Sequence, residues 1–243
     1  MYQGKFTVAS NRPLAQNIFE MRLAGNGGSI KSPGQFVSLK LPEKYLRRPI
    51  SVCDADTESI TLIYKVLGRG TEEMTRFPQG MELDVLTGLG NGFDVSKSGD
   101  RPLLIGGGVG LPPMYMLAKR LISAEKRPVV IIGANTRSEV FYENEFRELG
   151  VQTVITTADG SRGIRGLVTD AMDGIDFDSI FACGPEPMLK AVYERSDAPA
   201  QLSFEERMGC GFGACMGCSC MTKYGAKRIC RDGPVLHREE IVW

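Results

Sequence analysis

The sequence predicts three domains: an antiparallel β-barrel, an α/β domain built on a parallel sheet, and a small cysteine-rich C-terminal domain. The first hundred residues contain evenly spaced, short strand-like runs separated by glycine- and proline-rich turns, which is typical of a barrel. From residue 101, strand-like and helix-like runs alternate, which predicts a parallel sheet. After residue 199 too few apolar residues remain for a separate core. The predicted domains are therefore 1–97, 98–199 and 200–243.

The individual elements are predicted from runs of apolar residues and from the turns between them. Glycine and proline end each predicted barrel strand, and one short helix is expected near residues 71–77. The expected barrel strands are 5–10, 18–23, 36–41, 60–66 and 81–86. The expected strands and helices of the α/β domain are 102–105, 113–123, 129–132, 139–149, 151–156, 167–172, 179–183 and 188–195.

Composition limits the classes of partner. Lysine plus arginine and aspartate plus glutamate number 29 each, so the chain lacks the positive charge with which nucleic-acid and anionic-membrane binders attract their targets. No apolar run approaches the roughly 18 to 20 residues that span a bilayer, and residues 1–19 lack the apolar core of a signal peptide. We therefore expect a cytoplasmic protein whose partners are small molecules or other proteins.

Four cysteines near the C-terminus have the spacing of an iron–sulfur site. Cys210, Cys215 and Cys218 stand in C-x4-C-x2-C order, and Cys230 follows after a short segment. This is the plant-type ligand spacing of a 2Fe-2S cluster. The backbone must approach such a cluster closely, which favours glycine. Four glycines lie in the motif: Gly209, Gly211, Gly213 and Gly217.

Other interpretations of the cysteines stay open at this point. A structural zinc site also uses four cysteines, but usually as two C-x2-C pairs, so it is the weaker alternative. Cys220 lies two residues after Cys218; we expect a spare buried thiol there, although it could substitute as a ligand. Cys53 and Cys183 are expected to be small core residues, because free cysteine is often buried without a function.

Two strand–helix connections carry glycine and proline. In residues 103–114 an apolar strand leads through glycines into a helix that begins with proline, which directs free N–H groups and the positive helix end at a phosphate. Such a turn can also be a simple tight connection. The usual dinucleotide fingerprint requires an acidic residue after the next strand, and residues 130–135 supply none. The second connection, Cys183-Gly184-Pro185, is either a helix start or a second ligand contact.

Three segments together resemble one superfamily. They are Arg48-Pro49-Ile50-Ser51, Gly107-Gly108-x-Gly110-x-x-Pro113 and Cys183-Gly184-Pro185. Their order is that of the ferredoxin-NADP reductase superfamily, and the resemblance covers the whole chain. Because residues 206–210 lead directly into a C-terminal cysteine cluster, the chain is most similar to the electron-transfer subunits of class B dihydroorotate dehydrogenase.

The resemblance implies FAD in the barrel, NAD in the α/β domain and a 2Fe-2S cluster on the cysteines. Arg48 would pair with the FAD pyrophosphate through two parallel hydrogen bonds, and Ser51 would bond near the reactive edge of the isoalloxazine. The implied FAD residues are Arg48, Pro49, Ile50, Ser51, Ile63, Tyr64, Lys65, Gly70 and Thr71. The implied NAD residues are Gly107, Gly108, Gly110, Pro113, Asp159, Cys183, Gly184 and Pro185.

Some positions depart from the wider superfamily or leave its pattern open. Many members have tyrosine where Ile50 stands, and many end in an aromatic residue that covers the flavin. Trp243 follows the cluster segment, so we assign it no such role. Asp159 would favour NAD by repelling a 2′-phosphate, whereas the neighbouring Ser161 and Arg162 could accept one.

The function implied by the resemblance is electron transfer in pyrimidine biosynthesis. Electrons would arrive singly at the cluster, gather on FAD and leave as a hydride to NAD. The sequence shows no dihydroorotate site and no catalytic base, and we expect the only histidine, His237, to be a surface or interface residue. A separate FMN-containing subunit would oxidise dihydroorotate to orotate, in a heterotetramer with two copies of each chain.

Two alternatives remain. The first is a reductase subunit for another acceptor, such as a sulfite reductase subunit or an NAD(P)H-ferredoxin transhydrogenase subunit. The transhydrogenase type tends to carry aspartate at the first ligand position, where this chain has Cys210. The second alternative is a non-catalytic zinc module that only docks a partner.

Overall fold

The structure, a computed structural model that describes residues 1–243, begins with a closed six-stranded barrel. Its strands pair in the order β1-β2-β5-β4-β3-β6, and every neighbouring pair is antiparallel. The predicted antiparallel barrel is thus confirmed. The strands are β1 (Tyr2–Ala15), β2 (Ile18–Ala24), β3 (Phe36–Leu39), β4 (Arg48–Ala55), β5 (Ser59–Lys65) and β6 (Glu82–Leu89).

Strand β4 was not among the predicted strands, although its first residues were recognised as a motif. Its first four residues, Arg48 to Ser51, are all half-buried, and only Val52 and Cys53 are fully buried. Proline is uncommon inside strands, and buried and exposed residues do not alternate along β4, so the pattern that identifies a strand is missing. A short helix, α1 (Arg69–Met74), follows β5; it overlaps the expected helical region 71–77 but begins two residues earlier and ends three residues earlier.

The second part of the chain forms a seven-stranded sheet, β10-β9-β8-β7-β11-β12-β15, that is parallel except for β15. This confirms the predicted parallel-sheet domain. The seven strands of the sheet are β7 (Pro102–Gly107), β8 (Val129–Ala134), β9 (Gln152–Thr157), β10 (Ile164–Arg165), β11 (Ser179–Cys183), β12 (Ala200–Ser203) and β15 (Val235–His237). Two further strands, β13 (Ser219–Thr222) and β14 (Gly225–Arg228), form a separate hairpin. The helices are α2 (Pro112–Ser123), α3 (Glu143–Glu148) and α4 (Glu186–Arg195).

Two predicted helices are shorter in the structure. Residues 139–149 form a helix only over Glu143–Glu148, because Tyr142 has a left-handed backbone conformation with φ of 61°. Residues 167–172 form a single 3-10 turn at Val168–Ala171. No helix has the length and apolar character needed to cross a membrane.

The cysteine-rich segment packs onto the sheet. Cys218, Ile229 and Cys230 are buried in the same hydrophobic cluster as the sheet residues Leu103 and Ile105. Strand β15 then returns to the sheet edge and pairs with β12. The segment therefore gains its apolar contacts from its neighbour, as its small number of apolar residues requires. The division into domains at residues 97 and 199 stays a prediction.

The barrel and the sheet share a second core. Ile18 and Ile63 of the barrel belong to one buried cluster with Leu104 and Leu117 of the α/β part. A polar contact across the same boundary joins Lys119 to Asp54 at 2.6 Å. The two parts are consequently held in one relative orientation, with a cleft between the barrel and the carboxyl ends of the sheet strands.

Candidate functional site

Two adjoining cavities occupy this cleft. The barrel cavity lies against β4 and β5, and all of the residues implied for FAD line it except Gly70. The residues lining it are Phe36, Arg48, Pro49, Ile50, Ser51, Ile63, Tyr64, Lys65, Leu67, Thr71, Val109, Cys183, Ser203, Phe204, Glu205, Glu206, Met208 and Pro234. The structure therefore brings together side chains from three regions that are far apart in sequence.

Gly70 lies directly under the guanidinium of Arg48. A Cβ atom at position 70 would be 2.5 Å from Nε of Arg48, so only glycine lets the guanidinium lie there. Arg48 donates through Nη1 to the carbonyl of Leu46 at 2.8 Å, and its Nε and Nη2 groups donate to no protein atom. A cation with free, coplanar N–H groups beside the start of α1 suits a phosphate or pyrophosphate.

The walls of the barrel cavity are largely apolar. The Tyr64 ring stacks on Phe19 at 5.8 Å, and its hydroxyl donates to Asn11 at 3.0 Å. Burial raises the pKa of Tyr64 to about 12, while the bond to Asn11 opposes the shift, so the hydroxyl stays neutral. Phe204, just after β12, forms another wall, and Trp243 packs against it at 5.6 Å. Such walls suit a flat aromatic ring system.

The sheet cavity lies where the strand order reverses. The glycine loop follows β7, and Cys183-Gly184-Pro185 follows the neighbouring β11, so both connections meet at the carboxyl edge of the sheet, where open α/β sheets bind ligands. The residues lining the cavity are Lys65, Leu67, Gly107, Gly108, Val109, Gly110, Gly133, Ala134, Asn135, Glu139, Thr156, Ala158, Gly166, Leu167, Val168, Thr169, Gly184, Pro185, Pro187, Met188, Ala191 and Glu205.

Positions 110 and 108 favour glycine for different physical reasons. A Cβ at Gly110 would lie 2.1 Å from the carbonyl oxygen of Cys183, so glycine allows the two connections to touch. Gly108 has φ of +53°, which glycine adopts readily, and a Cβ there would meet no atom within 4 Å. The loop therefore presents an open backbone to the cavity.

Three residues implied for NAD lie outside the lining of the sheet cavity. Pro113 is buried in the first turn of α2. Asp159 accepts hydrogen bonds from the Ser161 hydroxyl at 2.6 Å and from the Ser161 N–H at 2.9 Å, which lower the pKa of its carboxyl. Cys183 lines the barrel cavity, and burial, together with the charge of Glu205, raises the pKa of its thiol to about 12.

Four residues line both cavities: Lys65, Leu67, Val109 and Glu205. A ligand in one cavity would therefore meet a ligand in the other across these side chains. Sequence reasoning did not identify Leu67, Val109, Phe204 or Glu205 as site residues. Val109 was within the glycine motif, but the other three carry no motif signal and reach the site only through the packing of the two domains.

The four cysteines form two pairs. The backbone N–H of Cys210 lies 3.5 Å from Sγ of Cys215, and the N–H of Cys215 lies 3.4 Å from Sγ of Cys210. Separately, the N–H of Cys230 lies 3.4 Å from Sγ of Cys218. No three candidate ligands gather around a point that a single metal ion could occupy. Two pairs of thiols instead match a cluster of two irons, each bound by two cysteines.

The two pairs differ in environment. Cys218 and Cys230 are buried, whereas Cys215 is exposed and Cys210 is half-buried. Burial opposes ionisation of Cys210, but N–H groups of Cys215, Phe212 and Ala214 outweigh it and lower the pKa of Cys210 to about 6. Cysteine binds iron as the thiolate, so the N–H groups of this loop favour the form of Cys210 that acts as a ligand.

Cys220 lies apart from these pairs. It is half-buried on β13, and burial, together with the charge of Glu206, raises the pKa of its thiol. Burial raises the pKa of the Cys230 thiol as well, so what separates Cys220 from the four paired cysteines is its place outside both pairs.

The cysteine loop touches the barrel close to the barrel cavity. A Cβ at Gly211 would lie 3.5 Å from Oγ of Ser38 on β3, and Phe36 of the same strand lines the cavity. Met208, two residues before Cys210, lines the cavity as well. The cysteine pairs and the barrel cavity are thus neighbours, as one-electron transfer between two groups requires.

Comparison with known proteins gives two family matches. Residues 205–242 match the iron-sulfur cluster binding domain of dihydroorotate dehydrogenase B, and residues 104–194 match the oxidoreductase NAD-binding domain. Over the whole chain, 44% of residues are identical to "Dihydroorotate dehydrogenase B (NAD(+)), electron transfer subunit" of Geobacillus sp. strain WCH70, covering 99% of that protein. The subunit of the same name from Bacillus mycoides is 42% identical over 100% of this chain and 99% of its own. This chain belongs to the dihydroorotate dehydrogenase B electron transfer subunit family.

Solved structures place this electron transfer subunit family in a wider fold group. The NADH-dependent reduced ferredoxin-NADP oxidoreductase, described for flavin-based electron bifurcation, superposes with a TM-score of 0.89 at 31% identity, covering 98% of this chain and 90% of that one. A cytochrome P450 reductase from Amycolatopsis superposes with a TM-score of 0.68 at 21% identity, covering 79% of this chain and 66% of that one, and shows the shared fold alone.

Proposed function

We propose that this chain carries electrons between a dihydroorotate-oxidising catalytic subunit and NAD, through a 2Fe-2S cluster and FAD. The observation that carries the proposal is the contact between the two cavities along Lys65, Leu67, Val109 and Glu205, with the cysteine pairs beside the barrel cavity. The names of the relatives supply the substrate, the nucleotide and the existence of a partner subunit. FAD converts between one-electron and two-electron carriers.

FAD would be held in the barrel cavity. Arg48 would bind the pyrophosphate, for which its Nε and Nη2 groups are free, and the backbone at Gly70 and Thr71 would support it. The apolar side chains between Ile50 and Phe204 would enclose the ring system. Ser51 would place its hydroxyl at the cavity wall as a hydrogen-bonding group.

NAD would be held in the sheet cavity. The open backbone around Gly108 and the start of α2 would contact its phosphates, and Gly184 and Pro185 would border its reactive end beside the barrel cavity. Asp159 stands next to Ala158 at the cavity edge, where its negative charge would disfavour a 2′-phosphate. Pro113 would act indirectly, by fixing the first turn of α2.

The cluster would be bound by Cys210, Cys215, Cys218 and Cys230, two cysteines to each iron. A surface around Cys210 and Cys215, the less buried pair, would dock the catalytic subunit. Four large apolar side chains are exposed in this segment, with exposed fractions from 44% to 72%: Phe212, Met216, Met221 and Tyr224. Exposed apolar groups in one segment mark a protein contact. The family resemblance implies that this partner carries FMN, in a heterotetramer with two copies of each chain.

The alternative of a reductase subunit for another acceptor is weaker. The likeness to the bifurcating oxidoreductase is 31% in identity, against 44% and 42% for the dihydroorotate dehydrogenase subunits. Cys210 also keeps the first ligand as cysteine. The expected cytoplasmic location stays a prediction.

The proposal is tested by anaerobic absorption spectroscopy and reconstitution. Iron, sulfide and flavin analysis of the purified chain should give two irons, two sulfides and one FAD, and NADH should bleach the visible bands. Adding the FMN-containing catalytic subunit of the same organism should create NAD-coupled dihydroorotate oxidation. A colourless zinc protein would overturn the cofactor assignment; a coloured protein that never couples to dihydroorotate would overturn the partner alone.

A further inference from the structure

Arg228, the last residue of β14, joins two parts of the cysteine segment, and the proposed function assigns it no role. Its Nη1 group donates to the carbonyl oxygen of Gly213 at 2.9 Å. Gly213 lies in the loop between Cys210 and Cys215, whereas Arg228 lies two residues before Cys230. The guanidinium therefore ties the loop of the less buried cysteine pair to the β13–β14 hairpin, which lies between the two members of the buried pair.

Gly213 is suited to this bridging position. It has φ of +94°, and a Cβ there would lie 2.7 Å from Cδ of Arg231, so glycine is the residue that allows the loop to pass. Its N–H group also reaches the buried pair. Burial raises the pKa of Cys230 to about 12, and a hydrogen bond from the Gly213 N–H opposes that shift. One residue thus contacts Cys230 through its N–H and Arg228 through its carbonyl.

Asp232 holds the guanidinium of Arg228 in place. Oδ2 of Asp232 accepts hydrogen bonds from Nε and from the backbone N–H of Arg228, both at 3.0 Å. The bonds from Arg228 lower the pKa of Asp232, so both charges are present at neutral pH. The bond to Asp232 raises the pKa of Arg228, and the charges of Cys230 and Cys218 add to that shift. The guanidinium is therefore within electrostatic reach of both buried cysteines.

A charge at this position acts on a cluster bound by these cysteines. One-electron reduction adds one negative charge to a 2Fe-2S cluster, so a nearby cation favours the reduced form and a nearby anion favours the oxidised form. Loss of the Arg228 charge would leave the Asp232 carboxylate unpaired and make the surroundings of the cluster more negative. Loss of the Asp232 charge would make them more positive.

We propose that the ion pair of Arg228 and Asp232 positions the cysteine loop and sets the reduction potential of the cluster. The inference rests on the proposed function, because it requires a 2Fe-2S cluster on the four cysteines. Arg228 is a positioning residue that acts through Gly213, and its positive charge favours the reduced cluster. Asp232 opposes that effect, so the balance of the two charges determines how readily the cluster accepts an electron.

The test is an anaerobic redox titration of the cofactor-loaded chain, in which electron paramagnetic resonance measures the reduced cluster at each potential. Arg228→Gln should lower the ratio of reduced to oxidised cluster at a given potential by about tenfold, which corresponds to a midpoint potential lower by about 59 mV. Asp232→Asn should raise that ratio. In the double variant neither charge remains, so the ratio should return to within about twofold of the natural value.

Two further variants separate charge from position. Lys227 precedes Arg228 on β14 and pairs with Glu240, so Lys227→Gln breaks a similar ion pair. Successive side chains of a strand point to opposite faces, and this change should alter the ratio by less than about twofold. Arg228→Lys keeps the charge but lacks the planar guanidinium that reaches Gly213 and Asp232 together. It should keep the natural potential, yet release iron to a chelator at least about tenfold faster.

Either of two results would overturn the proposal: a ratio in Arg228→Gln within about twofold of the natural value, or shifts of the same sign in Arg228→Gln and Asp232→Asn. If Arg228→Gln binds no cluster, Asp232→Asn decides, and an unchanged or lowered potential there contradicts the role of the pair. Failure of the proposed function would differ from all of these, because the natural chain itself would then give no 2Fe-2S signal to titrate.

Discussion

Nζ of Lys65 lies 2.8 Å from Oε1 of Glu139, and this contact joins the end of barrel strand β5 to the sheet side of the cleft. Both side chains are mostly buried, with exposed fractions of 25% and 18%. Glu139 also accepts hydrogen bonds from the backbone N–H and the side-chain amide of Asn135. The pair therefore fixes the two walls of the sheet cavity relative to each other.

We predict that Glu139→Gln lowers the free energy of unfolding by about 1 kcal/mol at pH 7, because Lys65 loses a charged partner. The hydrogen bond from Lys65 lowers the pKa of Glu139, so the pair stabilises the fold above the unfolded pKa and is lost as pH falls through the folded pKa. The difference between variant and natural chain should then shrink below about pH 4. Urea unfolding measured at several pH values checks this.

A double-mutant cycle isolates the pair itself. Lys65→Met, Glu139→Gln and the double variant should give a coupling energy of about 1 kcal/mol at pH 7. A coupling energy near zero would mean that each side chain contributes through other contacts.

The cysteine pairs lead to a second prediction. Cys218→Ser removes one thiolate from the buried pair, so the chain should lose the absorption bands of the cluster and most of its iron and sulfide. FAD should be retained, because Cys218 does not line the barrel cavity. Cys220→Ser is the matched control, since Cys220 lies only two residues away and outside both pairs. Iron loss in Cys220→Ser, with iron retained in Cys218→Ser, would reverse the ligand assignment.

Much of this arrangement could be predicted from the sequence. The barrel, the parallel sheet and the cysteine spacing depend on local patterns of apolar residues, glycines and ligands, and the structure confirms the predicted fold. Strand β4 was not predicted because Pro49 and the half-buried residues around it do not alternate between apolar and polar. Local pattern alone does not identify such a strand.

The contacts between domains could not be predicted in the same way. Glu205 belongs to the site because it follows β12 and lines the same two cavities as Lys65 and Val109, which are far away in sequence. Trp243 also approaches the site, through Phe204, although the chain order gave no reason to expect it. Such relationships depend on the packing of β12 and β15 side by side, and a single sequence carries no local signal for this.

A third prediction concerns the guanidinium of Arg48. Arg48→Ala should weaken FAD binding by about tenfold or more, because charge-assisted hydrogen bonds to phosphate contribute about 1.5 to 3 kcal/mol. Gly70→Ala should also weaken binding, since its Cβ would displace the guanidinium, from which it would be only 2.5 Å away. Fluorescence titration of the flavin-free chain with FAD measures both.

Arg47 provides the control for this prediction. It is the neighbouring arginine, but its guanidinium is bound to Asp84 at 2.9 Å. Arg47→Ala should therefore lower the free energy of unfolding and leave the Kd for FAD within about twofold of the natural value. Equal losses of FAD affinity in Arg47→Ala and Arg48→Ala would contradict a specific role for Arg48.

The glycine loop leads to a fourth prediction. Gly110→Ala would bring a Cβ within 2.1 Å of the carbonyl oxygen of Cys183, which must push the two connections apart. We expect a loss of stability of about 1 to 3 kcal/mol and a clearly higher KM for NADH. Gly108→Ala meets no neighbouring atom, so its stability loss should be limited to about 1 kcal/mol from its backbone conformation. Thermal unfolding and NADH titration compare the two variants.

The final prediction concerns the choice between NADH and NADPH. Arg162 is the cation that could accept a 2′-phosphate, but its guanidinium is paired with the carboxylate of Glu143, which is only 7% exposed. Arg162 lies in the groove beside α3, and it is not among the residues that line the sheet cavity. The natural chain should therefore prefer NADH by at least about tenfold in kcat/KM, which corresponds to about 1.4 kcal/mol.

Removing the partner should change this preference. In Glu143→Gln the guanidinium of Arg162 loses its anion and can turn to a 2′-phosphate, so the NADH preference should fall several-fold. Arg147 pairs with the same carboxylate at 2.7 Å, and Arg147→Ala leaves the Glu143–Arg162 contact intact. The preference of Arg147→Ala should match that of the natural chain. If Glu143→Gln also keeps the natural preference, the pairing of Arg162 with Glu143 does not determine the choice between NADH and NADPH. The negative charge of Asp159 would then be the remaining explanation for that preference.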